Sequence, residues 1–328
     1  MTDRTGPALV VPRHGGRDVL VVEDRAVPEP GPGEALVEVA AAGVNFIDVY
    51  QREGVYPVPT PFVGGNEGAG TVLATGPGVE ALAAGDRVAW PQCLGSAARY
   101  AVLPASALVA VPDGVDLETA AAVILQGLTA QYLTTSTYAV RPGDVALVHA
   151  AAGGVGQLLV QAVLARGGSV IATAGSSEKC ATARALGAEH VLDYREVEDL
   201  AAEVRRLTGG RGVDVAYDGV GKDTFDASLA SLRTRGTLAL FGAASGQVPP
   251  FDLQRLNTGG SLFVTRPTLG HHIATRDELE WRAGEVLGAV ADGSLHVSVG
   301  GRYPLGEAAT AYADLEGRRS QGKLVLLP

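Results

Sequence analysis

The residues with the clearest chemical meaning are Ala151, Gly153 and Gly156, in the stretch His149-Ala150-Ala151-Ala152-Gly153-Gly154-Val155-Gly156. Their spacing, A-x-G-x-x-G, differs from the dinucleotide fingerprint only at its first glycine. Gly153 lets the backbone approach a pyrophosphate, and Gly156 lets the following helix pack close to the strand. The free N–H groups at the helix start, including those of Gly154 and Val155, face phosphate charge. A short glycine pattern says little alone, but its surroundings supply the context. The apolar run Val145–Val148 precedes it, a helical pattern Gln157–Arg166 follows, and a second apolar run, Val170–Ala174, comes next. This is the strand–turn–helix–strand order of a βαβ unit.

The end of that second strand indicates which dinucleotide. NAD sites place an acid there, about 20 residues beyond the glycines, to hold the ribose 2′-hydroxyl. Here the chain reads Ala174-Gly175-Ser176-Ser177, then Lys179. No acid repels a 2′-phosphate, and hydroxyls and a cation can bind one, so the residues point to NADPH. Ser176 or Ser177 also reads as the N-cap of the next helix. The two readings are compatible, because a capped helix start is itself an anion site.

These residues need a scaffold, and 328 residues suffice for two domains with cores of their own. The net charge is −10, with signs mixed throughout and no basic stripe, which argues against a nucleic-acid partner. Met1-Thr2-Asp3-Arg4 contains no apolar signal core, and no apolar run approaches the ~20 residues of a membrane span. Cys93 and Cys180 are too few for a disulfide framework or a Cys₄ zinc lobe. A cytoplasmic protein is expected.

The first part of the chain reads as β-rich. Short strands are expected at Leu20–Val22, Glu34–Ala40, Gly70–Ala74 and Arg87–Trp90, separated by Pro/Gly turns. A helix is expected over Leu117–Tyr138, interrupted at Gly127. Strands and helices then alternate: helices at Glu178–Leu186, Val197–Leu207 and Thr224–Leu232, strands at His190–Tyr194, Val213–Tyr217, Thr237–Gly242 and Ser261–Thr265. Such alternation implies an α/β fold with a doubly wound parallel sheet. After Pro267, a helix Arg276–Ala291 and a strand Lys323–Leu327 form a tail too short for a domain, which is expected to return to the first part. The expected divisions are 1–124, 125–265 and 266–328.

Four segments resemble a known family. They are Gly43-Val44-Asn45-Phe46-Ile47-Asp48-Val49-Tyr50, Gly64-Gly65-Asn66-Glu67-Gly68, Ala150 to Gly156, and Val264-Thr265-Arg266-Pro267. In order and spacing they are similar to the NADPH:quinone oxidoreductases, including the zeta-crystallins, of the medium-chain dehydrogenase/reductase superfamily. The likeness runs from about Gly31 to the C-terminus. It implies a GroES-like catalytic domain built from both chain ends, a Rossmann domain between them, and an active site in the cleft. The zinc alcohol dehydrogenases of that superfamily place Cys, His and commonly Cys where this chain has Asn45, Asn66 and Gln126. Amides are poor zinc ligands, so no catalytic metal is expected. Without a Lewis acid, alcohol oxidation loses its alkoxide stabiliser. Reduction of an electrophilic quinone or enone depends on one less.

The resemblance further implies site roles. Asn45 and Thr129 become polar contacts on the nicotinamide side; taken alone, they read as a turn residue and a helix cap. Tyr50 and Tyr56 are expected on a loop that borders the acceptor. Tyr56 is either a hydrogen-bond or proton donor or an amphipathic wall. Lys179, Tyr194 and Arg318 serve the adenosine end, and Phe241 and Gly242 flank the nicotinamide half. The leading expectation is an NADPH-dependent quinone oxidoreductase. The alternatives are an enoyl or 2-alkenal reductase with Tyr56 as proton donor, and a non-catalytic, crystallin-like NADPH-binding protein. An apolar edge strand at Ser261–Thr265, protected only by Arg266, leads to the expectation of a homodimer.

Overall fold

The computed structural model describes residues 5–328 and divides them into two compact units, 5–128 with 273–328, and 129–272. The first four residues, read above for a signal core, lie outside the described part. Among the described residues no helix is long and apolar enough to cross a membrane.

The unit 129–272 is built on a six-stranded parallel sheet. In chain order its strands are Val145–Val148, Ser169–Ala174, His190–Asp193, Val213–Asp218, Leu232–Leu240 and Phe263–Thr265. In space they lie in the order 3-2-1-4-5-6 counted along the unit, so the winding reverses between the first and fourth. Every residue of Val213–Asp218 is buried, as expected for a central strand covered on both faces. Local chemistry fixes the helices between strands. Ser176 accepts the Lys179 N–H to cap Ser177–Ala185, Gly187 (φ 94°) ends that turn, and Asp199 caps Leu200–Leu207. At the amino-terminal side of the sheet Asp214 accepts from Arg211 (2.7 Å), Arg233 (2.5 Å) and the Val145 N–H (2.8 Å).

The unit 5–128/273–328 is β-rich. Its larger sheet pairs Glu34–Gly43 antiparallel with Gly68–Thr75, with Tyr100–Pro104 and with the closing strand Lys323–Leu327. A smaller sheet orders Val21–Ala26, Thr5–Val11 and Phe62–Val63. The core gathers Val37, Val39, Val72, Val88, Leu103 and Leu108 around the fully buried Trp90, whose indole N–H donates to Ser96 Oγ at 2.8 Å. Each large apolar side chain enclosed this way contributes roughly 1.5–3 kcal/mol. The capping box of Thr275 and Glu278 starts the helix Arg276–Ala291.

Several expectations need correction. The helix Leu117–Tyr132 runs through Gly127 unbroken and continues into a π-helical turn, Leu133–Thr137. Gly127 is a packing position: a Cβ there would lie 2.5 Å from Val286 Cγ1 of the helix Arg276–Ala291. Tyr50 lies on a short helix, Phe46–Arg52, not on a loop. The strands Thr5–Val11 and Val299–Pro304 and the helix Ala308–Glu316 are additional elements. Val299–Pro304, Val-Gly-Gly-Arg-Tyr-Pro, alternates half-buried and exposed positions and carries little apolar signal.

Candidate active site

In the unit 129–272 the residues expected at a dinucleotide collect at the carboxyl ends of the parallel strands, where open α/β sheets bind ligands. The turn Ala150–Gly153 follows the first strand. Its strained residue is Ala150 (φ 50°), one position before the expected first glycine. Gly156 is obligatory for a closer reason than strand packing: a Cβ there would lie 2.2 Å from Ala150 O and 2.8 Å from Ala151 Cα. The helix Gly154–Ala165 starts at Gly153 with no side chain capping it. The first N–H groups of a helix have no intrahelical acceptor, so this end suits a pyrophosphate.

After the second strand, Ser176 uses its hydroxyl to cap the helix that carries Ser177 and Lys179, so the capping reading holds. Gly175 lies against Tyr194: a Cβ on Gly175 would fall 2.2 Å from the Tyr194 hydroxyl. Tyr194 itself is anchored by its N–H to Ala174 O (3.1 Å) and leaves much of its ring exposed. Strand two therefore ends in a small residue under an aromatic ring, with hydroxyls and an amine following. That composition fits an adenosine 2′-phosphate better than a bare ribose hydroxyl. At the ends of the fourth and fifth strands, Gly242 and Phe241 crowd Gly219, which a Cβ would bring to 2.9 Å from the Phe241 ring.

Sequence reasoning missed a buried polar chain beneath these strand ends. His149 Nδ1 lies 3.0 Å from Thr173 Oγ1, and His149 Nε2 lies 2.9 Å from Ser228 Oγ. Ser228 in turn donates to Asp218 Oδ2 (2.7 Å). With the Ser228 proton committed, His149 Nε2 must be the donor and Nδ1 the acceptor. Burial lowers the imidazole pKa, against the pull of Asp218. The chain ties the glycine turn to two neighbouring strands and the helix Phe225–Ser231. Thr129 is buried in the helix Leu117–Tyr132.

In the other unit, Asn45 and Asn66 stand in a dense network. Asn45 Nδ2 donates to Glu67 Oε1 (2.6 Å), and Asn45 Oδ1 accepts from Lys323 Nζ (2.7 Å) and from Gln126 Nε2 (3.5 Å). Lys323 also contacts Glu67 directly, and Glu67 Oε2 accepts the Leu125 N–H at 2.8 Å. Asn66 Nδ2 donates to Asp48 Oδ1 and Gln51 Oε1, both at 2.6 Å. Asp48 Oδ2 takes the Asn45 N–H (2.9 Å) and the Tyr312 hydroxyl (3.1 Å). Burial raises the Asp48 pKa to about 6, with the Asn66 and Asn45 hydrogen bonds acting against it. The three amides at metal-ligand positions are thus engaged with protein partners. Among the described residues no group of three or more His, Cys, Asp or Glu side chains could hold a metal ion. Nearby, Tyr50 packs edge-on against Tyr56 (centroids 5.3 Å apart) and tilts against Phe46 (6.2 Å). Arg318 sits past the helix Ala308–Glu316 in a left-handed conformation (φ 55°).

The comparisons with known proteins agree with this architecture. Residues 31–113 match the alcohol dehydrogenase GroES-like domain, and residues 154–281 match the zinc-binding dehydrogenase family. The second span contains none of Asn45, Asn66 and Gln126. The chain is 45% identical to a quinone oxidoreductase of Pseudomonas aeruginosa over 317 residues, covering 96% of this chain and 97% of that protein. It is 43% identical to a 2-haloacrylate reductase of a Burkholderia species, covering 98% of each. A mycobacterial protein solved in complex with NADPH superposes with a TM-score of 0.96 at 51% identity, over 98% of this chain and 100% of that one. With both domain families matched in order and relatives of this identity spanning nearly its full length, the chain belongs to the quinone oxidoreductase family of the medium-chain dehydrogenase/reductase superfamily.

Proposed function

We propose that this chain is an NADPH-dependent quinone oxidoreductase working by direct hydride transfer without a metal ion. The observation that carries this reading is the amide network: Asn45, Asn66 and Gln126 replace thiolate and imidazole, with Asn45 bonded to Glu67 and Lys323, Asn66 to Asp48 and Gln51, and Gln126 to Asn45. Amides are poor ligands for the Lewis acid that would stabilise an alkoxide, which favours a substrate that is already electrophilic. NADPH, when bound, supplies the hydride. The N–H groups of Gly154, Val155 and Gly156, beside Gly153, would hold its pyrophosphate. Ser176, Ser177, Lys179, Tyr194 and Arg318 would hold its 2′-phosphate, and Phe241, Gly242, Thr129 and Asn45 would flank its nicotinamide. Asn45 then contributes a fixed dipole, because both ends of its amide are engaged. Tyr50 and Tyr56 orient a planar acceptor, and orientation is the main rate effect open to such a site.

One observation favours a second reading. Tyr56 is partly exposed and packs edge-on against Tyr50, which supports a role as proton donor to an enolate, and one full-length relative is a 2-haloacrylate reductase. Following the NADPH absorbance band with quinones and enals in parallel decides the matter. Turnover of quinones supports the first reading, turnover of enals alone the second, and NADPH binding without turnover the crystallin-like alternative. We further infer a cytoplasmic homodimer. Mixed surface charge and two free cysteines favour that compartment, and the edge strand Phe263–Thr265 favours pairing.

A further inference from the structure

We propose that Glu67 and Lys323 are positioning residues for hydride transfer, their buried ion pair fixing the orientation of the Asn45 amide and the placement of Gln126. The proposal rests on the reading above that Asn45 and Gln126 border the reaction. Both charged groups are enclosed, Glu67 at 0% exposure and Lys323 at 2%. A buried pair of this kind is weak evidence for stability, since apolar replacements often serve as well. Its geometry points to a positional role. The two ends of an asparagine amide are almost identical in shape, and only their partners decide which is which. An ammonium can only donate and a carboxylate can only accept. With Lys323 Nζ at 2.7 Å on one end and Glu67 Oε1 at 2.6 Å on the other, Asn45 has one possible orientation. The second oxygen of Glu67 holds the backbone N–H of Leu125, and the next residue, Gln126, reaches Asn45 Oδ1. One carboxylate therefore sets both the amide and the stretch of helix beside it. The surrounding chain accommodates this arrangement. Gly43 has no room for a Cβ, which would fall 2.2 Å from Glu67 Oε1. Lys323 is delivered by the ladder in which Val325 pairs with Gly43 and Val44 N–H donates to Leu324 O at 2.9 Å. The return segment thus contributes a side chain to the site.

The test uses the full chain with Lys323→Met and Glu67→Gln, compared with the unmodified protein for quinone turnover and for the side-chain amide resonances of selectively ¹⁵N-labelled Asn45. The expected result is a fall in kcat of tenfold or more, at a temperature where circular dichroism shows the variants folded, with KM for NADPH changed less than twofold. The Asn45 resonances should broaden or double as the amide samples both orientations. An unchanged kcat per folded molecule together with unchanged Asn45 resonances overturns the proposal, even if the thermal midpoint drops. If Lys323→Met does not fold, Lys323→Gln removes the charge at similar length and is read in the same way. If the unmodified protein turns over neither quinone nor enal, the functional reading fails, while the resonances still decide whether the pair orients Asn45.

Discussion

At residue 43 a single methyl group is predicted to disturb the site. Gly43→Ala would drive its Cβ into Glu67 Oε1, and overpacking of this kind costs about 1–3 kcal/mol. A lowered thermal midpoint with weakened turnover is the expected outcome; full stability and activity would mean that the carboxylate can move aside. Two carboxylates predict opposite pH effects. Asp48 has a folded pKa near 6, above its ordinary value of 3.8, because it is buried. The folded state therefore holds more protons, and Asp48 makes stability fall as pH rises from about 4 to 6. Asp214 is also penalised by desolvation, but hydrogen bonds from Arg211, Val145 and Arg233 outweigh that and hold it near 2. Its contribution is complete above 3.8 and is lost as pH falls toward 2. Asp48→Asn should flatten the slope of unfolding free energy between pH 4 and 6, and Asp214→Asn the slope below it; chemical denaturation at a series of pH values measures both. The amides at 45, 66 and 126 predict that turnover survives chelation. Stoichiometric zinc whose removal abolishes activity would refute the metal-free mechanism. Asn45 and Asn66 were legible from the sequence because each lies in a segment that carries the family resemblance, and Gln126 because it stands where the zinc enzymes commonly have a Cys. Their partners were not: Glu67 and Lys323 meet Asn45 across 22 and 278 residues, and no local spacing encodes a contact made only when the closing strand joins its ladder.

Among the elements, the glycine turn and the end of the second strand predict cofactor choice. A charge-assisted hydrogen bond to phosphate is worth roughly 1.5–3 kcal/mol. Lys179→Ala and Arg318→Ala should each weaken NADPH binding by that order and leave NADH binding nearly unchanged. Calorimetric titration of both cofactors checks this, and equal dissociation constants in the unmodified protein would contradict it. The βαβ unit was readable because several signals agree there: continuous apolar strands, a serine cap, and glycines at helix ends. The strands Val145–Val148 and Arg87–Trp90 and the helix Arg276–Ala291 stand where their residues indicate. The interruption expected at Gly127 was wrong because a glycine can mark close approach as well as a break. Here the neighbour is Val286, distant in sequence. Val299–Pro304 was missed because its place comes from pairing with Lys323–Leu327, not from its own propensity.

For the whole molecule, the proposed homodimer needs a surface that can meet a second copy. The six-stranded sheet ends at Phe263–Thr265, which pairs with Leu232–Leu240 on one side and, among the described residues, has no neighbour in the sheet on the other. Phe263 is 60% exposed, an unusual state for a large aromatic on a strand. An apolar edge with unpaired backbone groups is a template for association unless charge or bulges protect it, and Arg266, the adjacent cation, reaches back to Leu240 O at 3.3 Å. Two such edges related by a two-fold axis would continue one sheet into the other through an isologous interface. Light scattering at micromolar concentration should therefore report a dimer. Phe263→Lys or Val264→Lys should convert it to a monomer while leaving the NADPH dissociation constant unchanged, because the strand lies at the edge of the sheet away from the glycine turn. A monomeric unmodified protein would rule the interface out, and a dimer that survives both substitutions would place the contact on another surface.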